Sequence, residues 1–311
     1  MAQEYRNLWR MYLQGKTPEV EEEPPDELLE ADLPGLVDKA IKAHENSISR
    51  YDAILVDEGQ DFNLIWWNLL RSVLRSGGEM MLVADAAQDL YGRSTKWTEK
   101  SLENAGFRGS WFQLEGSYRF PPDFVPYLRR FVEDFIGASE GNLPTAVQGE
   151  LFEQVRLRWI QVREDKAVEA CVKAVCELPQ FAAPFPVSWA DITMLVGSHR
   201  FGMRCLEALN SRKIQVNHVF GKDHASRKVR KLGFWMGDAR LKGATVHSFK
   251  GWESRAMVIF IRQLKTQEDA SAIYVALSRL KRSPKGSVLT VVCCAPELEA
   301  YGKTWQQFDR L

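Results

Sequence analysis

Two short apolar runs, each ending in acids, constrain this chain more than any other feature. The run at 51–56 reads Tyr-Asp-Ala-Ile-Leu-Val and leads directly into Asp57-Glu58, and the run at 80–84 leads into Asp85. Neither alternates with polar residues, the mark of a strand buried on both faces in a parallel sheet. Between them Ile65, Trp66, Leu69, Leu70, Val73 and Leu74 recur at helical spacing. Asn63 is placed to cap that helix, and Gly77-Gly78 to stop it. Strand, helix, strand with short links is a βαβ unit with a right-handed crossover. In such a sheet ligands bind beyond the carboxyl ends of the strands, so adjacent strand-end carboxylates there suit a magnesium ion and a general base.

The rest of the chain repeats the alternation. Pro121-Pro122 opens a helix with Phe124, Leu128, Phe131, Val132 and Phe135 inward. Strands are expected at 157–162, 192–196, 214–220, 245–248, 256–261 and 287–293, and helices at 164–178, 201–209 and 269–281. Residues 1–50 carry only two weak helical patterns around an acidic, proline-containing stretch at 18–32. No repeat and no low-complexity segment is visible. The fold class expected is α/β, in two domains with mostly parallel sheets.

Composition narrows the function. Lys+Arg and Asp+Glu both total 41, so the net charge is zero, which argues against a protein coated in nucleic acid but not against a local groove. The charge is uneven: 18–32 is acidic and 222–231 is basic, runs that ordinarily mean solvated surface. No apolar run reaches the ~18 residues of a membrane span, and the N-terminus has no uninterrupted apolar core of a secretory signal. No membrane is expected, and the cytoplasm is the expected compartment. The five cysteines, Cys171, Cys176, Cys205, Cys293 and Cys294, form no C-x-x-C pair and read as buried small hydrophobes.

Five motifs in order carry a resemblance. Ile54 to Asp61 (ILVDEGQD) resembles the Walker B motif of UvrD/Rep-like superfamily 1 DNA helicases. Leu82 to Gly92 (LVADAAQDLYG) resembles the motif that follows it in that family. Leu114-Glu115-Gly116-Ser117-Tyr118-Arg119 resembles L-x-x-N-Y-R. Residues 245–253 (TVHSFKGWE) resemble T-x-H-x-x-K-G-L-E, and Tyr274-Val275-Ala276-Leu277-Ser278-Arg279 resembles Y-V-A-L-T-R. The resemblance implies two RecA-like P-loop-NTPase-type domains that hydrolyse ATP between them with Mg2+, and 3′-to-5′ movement on DNA, single strands preferred. It divides the chain into 1–50, a helical remnant of the first domain, 51–118, a truncated first RecA-like domain, and 119–311, the second.

The implied roles follow position by position. Asp57 matches the acid that holds magnesium, Glu58 the base that orients the attacking water and Gln88 the glutamine that senses the γ-phosphate. Tyr118 matches the aromatic that stacks on adenine. Arg119 and Arg279 match the two arginines that meet the γ-phosphate from the second domain, where equatorial oxygens need strong positive charge. Gly251 and Glu253 match nucleotide-side positions, Glu253 near the ribose. Thr245 and His247 match positions linking the nucleotide to the DNA strand.

The chain also departs from the family. After Tyr91-Gly92 the pattern W-R-G-A is replaced by Arg93-Ser94-Thr95, leaving Arg93 to stack on a base or hold a phosphate, or Trp97 to supply the lost aromatic. Only about residues 221–243 stand where the family carries a large inserted subdomain, so that subdomain is not expected. No P-loop G-x-x-x-x-G-K-[ST] precedes Asp57: Gly15-Lys16-Thr17 fails because Arg10 stands where the first glycine must be. The expectation is therefore of a chain that begins inside the first domain, its P-loop supplied by another segment or chain. The rival expectation is a helicase-like module that binds DNA or a partner without turnover.

Overall fold

A computed structural model of the chain describes residues 33–45, 48–59, 64–84, 112, 118–137 and 154–311. The chain forms two compact units, Met1–Trp111 and Phe112–Leu311.

The first unit holds helix α1 (Leu33–Ala43), strand β1 (Tyr51–Val56), helix α2 (Leu64–Ser72) and strand β2 (Leu74–Leu82). β1 and β2 pair in parallel, as a βαβ unit requires. Ile54 and Val56 point to the face covered by the helices, where they meet Val37, Ile41, Trp67, Leu69 and Val73. The expectation of burial on both faces is corrected here. Leu55 is 74% exposed, and Met81 on the neighbouring strand and Val83 just past its end are exposed too, because among the described residues the helices pack on one face alone. Two bounds also move. α2 ends at Ser72, well before the glycines: the Ser72 hydroxyl donates to the Leu69 carbonyl and Val73 N–H to the Leu70 carbonyl, tightening the last turn. β2 then begins at once, with Leu74 opposite Tyr51, and a register shift absorbs the bulge that contains Gly77 at φ +80°.

The second unit is a seven-stranded sheet in which every pairing is parallel. A turn at Pro122–Phe124 leads into α3 (Val125–Phe135). There follow β3 (Val155–Gln161), α4 (Ala167–Phe181), β4 (Ile192–Val196), α5 (His199–Asn210) and β5 (Val216–His218). Next come α6 (His224–Leu232), β6 (Leu241–Thr245), β7 (Ala256–Ile261), α7 (Gln267–Leu277), β8 (Ser287–Cys293), α8 (Glu299–Gly302) and β9 (Gln307–Arg310). The spatial order is β5-β6-β4-β7-β8-β3-β9. The expected α/β class with a parallel sheet is what the chain adopts. β4, β6, β7 and β8 are buried along their whole length, which is why β4, β7 and β8 read as apolar runs. At the other side of the sheet Trp159, Tyr301 and Trp305 stack edge-on around Phe124 and Phe131. Gly302 is required there, since a Cβ would meet the Trp159 ring at 2.4 Å.

Three expectations are corrected. The strand foreseen at 245–248 ends at Thr245, and His247–Phe249 is a 3-10 turn, because the Thr245 hydroxyl oxygen accepts the Ser248 N–H and closes the chain on itself. The helix foreseen to 281 ends at Leu277, because Leu280 leaves to bridge Ser254. α6 and β9 were not foreseen as elements. All five cysteines are free thiols; Cys171, Cys205 and Cys293 are buried, and burial lifts the half-buried Cys294 to about 11.

Candidate functional site

In the first unit the acids stand where the sequence places them, at the carboxyl end of β1. Asp57 is exposed, and its Oδ1 accepts the Glu58 backbone N–H at 2.8 Å. Glu58 takes φ +55°, a left-handed conformation uncommon outside glycine and costing on the order of 1 kcal/mol or more. The strand end is held from both sides: Val83 N–H donates to the Val56 carbonyl at 2.8 Å, and Gly59 N–H to the Val83 carbonyl at 2.7 Å. The backbone that carries both acids is thus fixed at the strand end, with the Asp57 carboxylate bonded to it. A magnesium ion normally keeps waters and takes one or two carboxylates plus substrate phosphates, so a lone Asp57 fits an ion that arrives with phosphates. Among the described residues no cluster of three or more His, Cys, Asp or Glu forms a self-sufficient metal site. Asp85, Gln88, Arg93 and Trp97 lie outside the described residues.

The second unit brings three motif residues, Arg119, Glu253 and Arg279, to one place. Its strands are parallel, so their amino ends share one edge, and Ser254, just ahead of β7, sits at that edge. Ser254 N–H donates to the Arg279 carbonyl and Lys281 N–H to the Ser254 carbonyl, each at 3.0 Å, while Arg282 N–H donates to the Arg119 carbonyl at 2.6 Å. Backbone bonds therefore align three segments distant in sequence. The Glu253 carboxylate lies between two cations, with Arg119 Nε at 3.6 Å and Lys281 Nζ at 3.3 Å. Two positive groups on one carboxylate leave the cluster net cationic, which suits an incoming phosphate.

The two arginines differ. The Arg119 side chain is nearly half exposed. Arg279 is only 1% exposed, its Nε donating to the Val275 carbonyl at 3.1 Å and its Nη2 to the Ser278 hydroxyl at 3.0 Å. Residue 278 is small and hydroxylic, and the guanidinium uses that hydroxyl directly. Tyr118, beside Arg119, is 74% exposed and offers an open ring face. Gly251 has φ +84°, which only glycine adopts freely, so the turn toward Glu253 depends on it. Sequence reasoning missed Lys281 and Ser254. The legible signal for the first was a lysine two places beyond the motif arginine.

Thr245 and His247 are not part of this cluster. Thr245 ends β6 at the carboxyl edge, where Val246 N–H donates to the Val196 carbonyl. The loop from Val246 to Arg255 therefore crosses the sheet, running from the carboxyl edge to the amino edge where β7 begins. Thr245 is buried and satisfied locally, its hydroxyl donating to Ser248 Oγ at 3.0 Å. His247 is exposed. One motif of nine residues thus touches both edges of the sheet.

At the far side of β6 the ammonium of Lys242 is buried and donates to the carbonyls of Ala190 and Asp238. Burial pulls its pKa down, against the carboxylates of Asp238 and Asp191. Asp238 also takes the Arg240 guanidinium at two oxygens, at 2.9 and 2.6 Å, and the Asn217 amide at 3.1 Å. His218 is half-buried with Nδ1 accepting the Phe220 N–H; burial, then the Arg230 charge, lowers it to about 4.

Residues 23–95 match the UvrD/REP helicase N-terminal domain family. Solved structures similar to the chain include the C-terminal domain of a possible DNA helicase from Lactobacillus plantarum WCFS1, at 13% identity and a TM-score of 0.37, covering 63% of this chain and 99% of that one. No curated protein matches. The matched residues 23–95 include the motifs around Asp57 and Gln88. No described helix is long and apolar enough to cross a membrane.

Proposed function

We propose that the chain is part of an ATP-driven DNA helicase or single-strand DNA translocase, moving 3′-to-5′, in which Asp57 and Glu58 of the first unit and the arginines of the second act on one triphosphate. The observation that carries this is the convergence of Arg119, Glu253 and Arg279, from motifs far apart in the sequence, with Lys281 on one sheet edge. Phosphoryl transfer asks little covalent chemistry of a protein; it needs an in-line water and fixed positive charge on the equatorial oxygens. Glu58 is the base that orients the water, and its fixed left-handed backbone holds it off the strand axis. Asp57 takes magnesium that the phosphates bring. Gln88 senses the γ-phosphate, Tyr118 stacks on adenine, and Gly251 and Glu253 shape the nucleotide-side loop. Arg119 supplies charge from an exposed position; Arg279 must exchange its bonds to Val275 and Ser278 for phosphate oxygens. That exchange would tie its position to occupancy. The crossing loop gives a physical route from there to Thr245, His247 and a DNA strand, with Arg93 a further DNA contact.

A second reading is favoured by one sequence observation: these 311 residues contain no G-x-x-x-x-G-K-[ST] ahead of Asp57. A P-loop gives backbone N–H groups and a lysine to the β- and γ-phosphates. In this reading the chain grips DNA without turnover unless a P-loop-bearing segment or chain joins it. The exposed Leu55, Met81 and Val83 are apolar surface such a segment would cover. Titration of labelled oligonucleotides across salt concentrations tests the DNA part of both readings. Single strands should bind better than duplex, with affinity falling steeply in salt and little preference for sequence. A strong preference for one duplex sequence would contradict both.

A further inference from the structure

The crossover helix α6 departs from its counterparts. α4, α5 and α7 each bury a stripe of side chains, among them Val172 and Val175, Leu206 and Leu209, and Ile273 and Leu277. That burial is what fixes a helix on a sheet, since propensity alone leaves short helices marginal. α6 links the neighbouring parallel strands β5 and β6, the position where such a stripe is due, yet it buries no hydrophobic side chain. Its aliphatic residues face outward instead, Val229 at 69% exposure and Leu232 at 81%.

Polar anchors hold it in place. At its start Asp223 and Ser226 form a capping box, and Arg227 Nε donates to the Gly221 carbonyl at 3.2 Å. At its end the Asn217 amide reaches the Gly233 carbonyl at 3.4 Å and the Asp238 carboxylate at 3.1 Å, while Lys242 holds the Asp238 carbonyl at 2.6 Å. The helix is thus fixed at both ends and presented outward. At 100° per residue Ala225, Val229 and Leu232 fall on one stripe, with Lys228 and Lys231 along one side of it and Arg230 on the other. Just past the helix Trp235 adds an exposed ring, which packs against Gly237 so closely that a Cβ there would sit 2.3 Å from it.

We propose that α6 is a docking surface for an acidic amphipathic segment of a partner protein, whose apolar stripe covers Val229 and Leu232 and whose carboxylates meet the flanking lysines and Arg230. The charge selects an anionic partner. The cations and the Trp235 ring would serve a nucleic acid as well, but Val229 and Leu232 would not; a helix laid on a helix uses i, i+3 anchors of this kind, so the aliphatic stripe selects a polypeptide. The surface does not depend on ATP turnover.

The test uses the full chain and a fluorescent peptide with leucine at i, i+3, i+4 and i+7 and glutamate elsewhere. Binding should be saturable in the micromolar range and should weaken about tenfold or more in Val229→Asp/Leu232→Asp and in Arg230→Glu/Lys231→Glu. All four side chains are exposed, so both variants should fold, and circular dichroism confirms that they do. The proposal is overturned by equal binding of a scrambled peptide that keeps the charge but lacks the stripe, or by unchanged affinity in Val229→Asp/Leu232→Asp. It is also overturned if an oligo-dT strand or phosphatidylserine vesicles lose their binding in that same apolar variant, which would make the stripe a nucleic-acid or membrane surface.

Discussion

The backbone N–H of Arg282 donates to the carbonyl of Arg119 at 2.6 Å, so the segment after the Arg279 motif is held against the segment that carries Tyr118. Through that bond and the two at Ser254, the cationic edge is built on main chain, and its side chains are mounted on a frame that survives their replacement. Arg119→Ala and Glu253→Gln should therefore each change stability by no more than about 1 kcal/mol, as exposed ion pairs do. Arg279→Ala should cost on the order of 2–4 kcal/mol, because it empties a buried volume and removes the guanidinium's bonds to the Val275 carbonyl and the Ser278 hydroxyl, which still bond each other. Urea unfolding of the three variants checks the ordering.

Lys242→Met should also destabilise, by about 1–3 kcal/mol, since the carbonyls of Ala190 and Asp238 lose a charged donor while the aliphatic volume is kept. The same variant should loosen the exit of α6, because Asp238 is one of its anchors. Faster hydrogen exchange at 233–240 in Lys242→Met, with the β4 amides unchanged, is the expected pattern.

His218 provides a pH signature. Its folded pKa, about 4, lies below the ordinary histidine value of 6.5, so the unfolded chain binds the extra proton first. Its contribution to stability is complete above pH 6.5 and falls progressively as pH drops toward 4. His218→Asn keeps an acceptor for the Phe220 N–H without titrating. The difference in urea midpoint between the two proteins should therefore shift in favour of the variant across that window, and an unchanged difference would remove His218 from this role.

Where a P-loop segment is supplied, Glu58→Gln should abolish hydrolysis while sparing nucleotide binding, because the magnesium role proposed for Asp57 would be left intact. Arg279→Ala should slow turnover roughly 10³-fold or more, the range of an arginine finger. Near-normal turnover in either variant would remove that residue from its role.

Much of the second unit was legible because burial writes itself into sequence. β4, β7 and β8 are covered on both faces and read as unbroken apolar runs. β9 was not legible: Gln307–Arg310 is a short, polar edge strand, fixed by pairing with β3. α6 was read as a basic run, since its burial is absent and only its Asp223–Ser226 cap marks it as a helix. The turn at His247–Phe249 looked like strand because Val246 and Phe249 suit a sheet, whereas one hydrogen bond from Ser248 to Thr245 decides otherwise. At the candidate site, motif order named Arg119, Glu253 and Arg279. It did not show that Glu253 is shared with Lys281, nor that Arg279 is buried while Arg119 is open, for these depend on where Leu280 bridges Ser254.

The central claim is that these residues carry acids, arginines and a DNA-linked loop of a motor whose phosphate cradle is not among them. Phosphate release by the purified chain, with and without single-stranded DNA and on protein free of contaminating helicase, tests it most directly. Without backbone N–H groups and a lysine to hold the β- and γ-phosphates, a triphosphate in the proposed role would be repelled by the acids of the Asp57-Glu58 pair, and aromatic stacking alone returns only about 1 kcal/mol. The account predicts no release above the blank in either condition. DNA-stimulated release that disappears in Glu58→Gln would contradict it, and would mean that the chain holds a substitute for the P-loop.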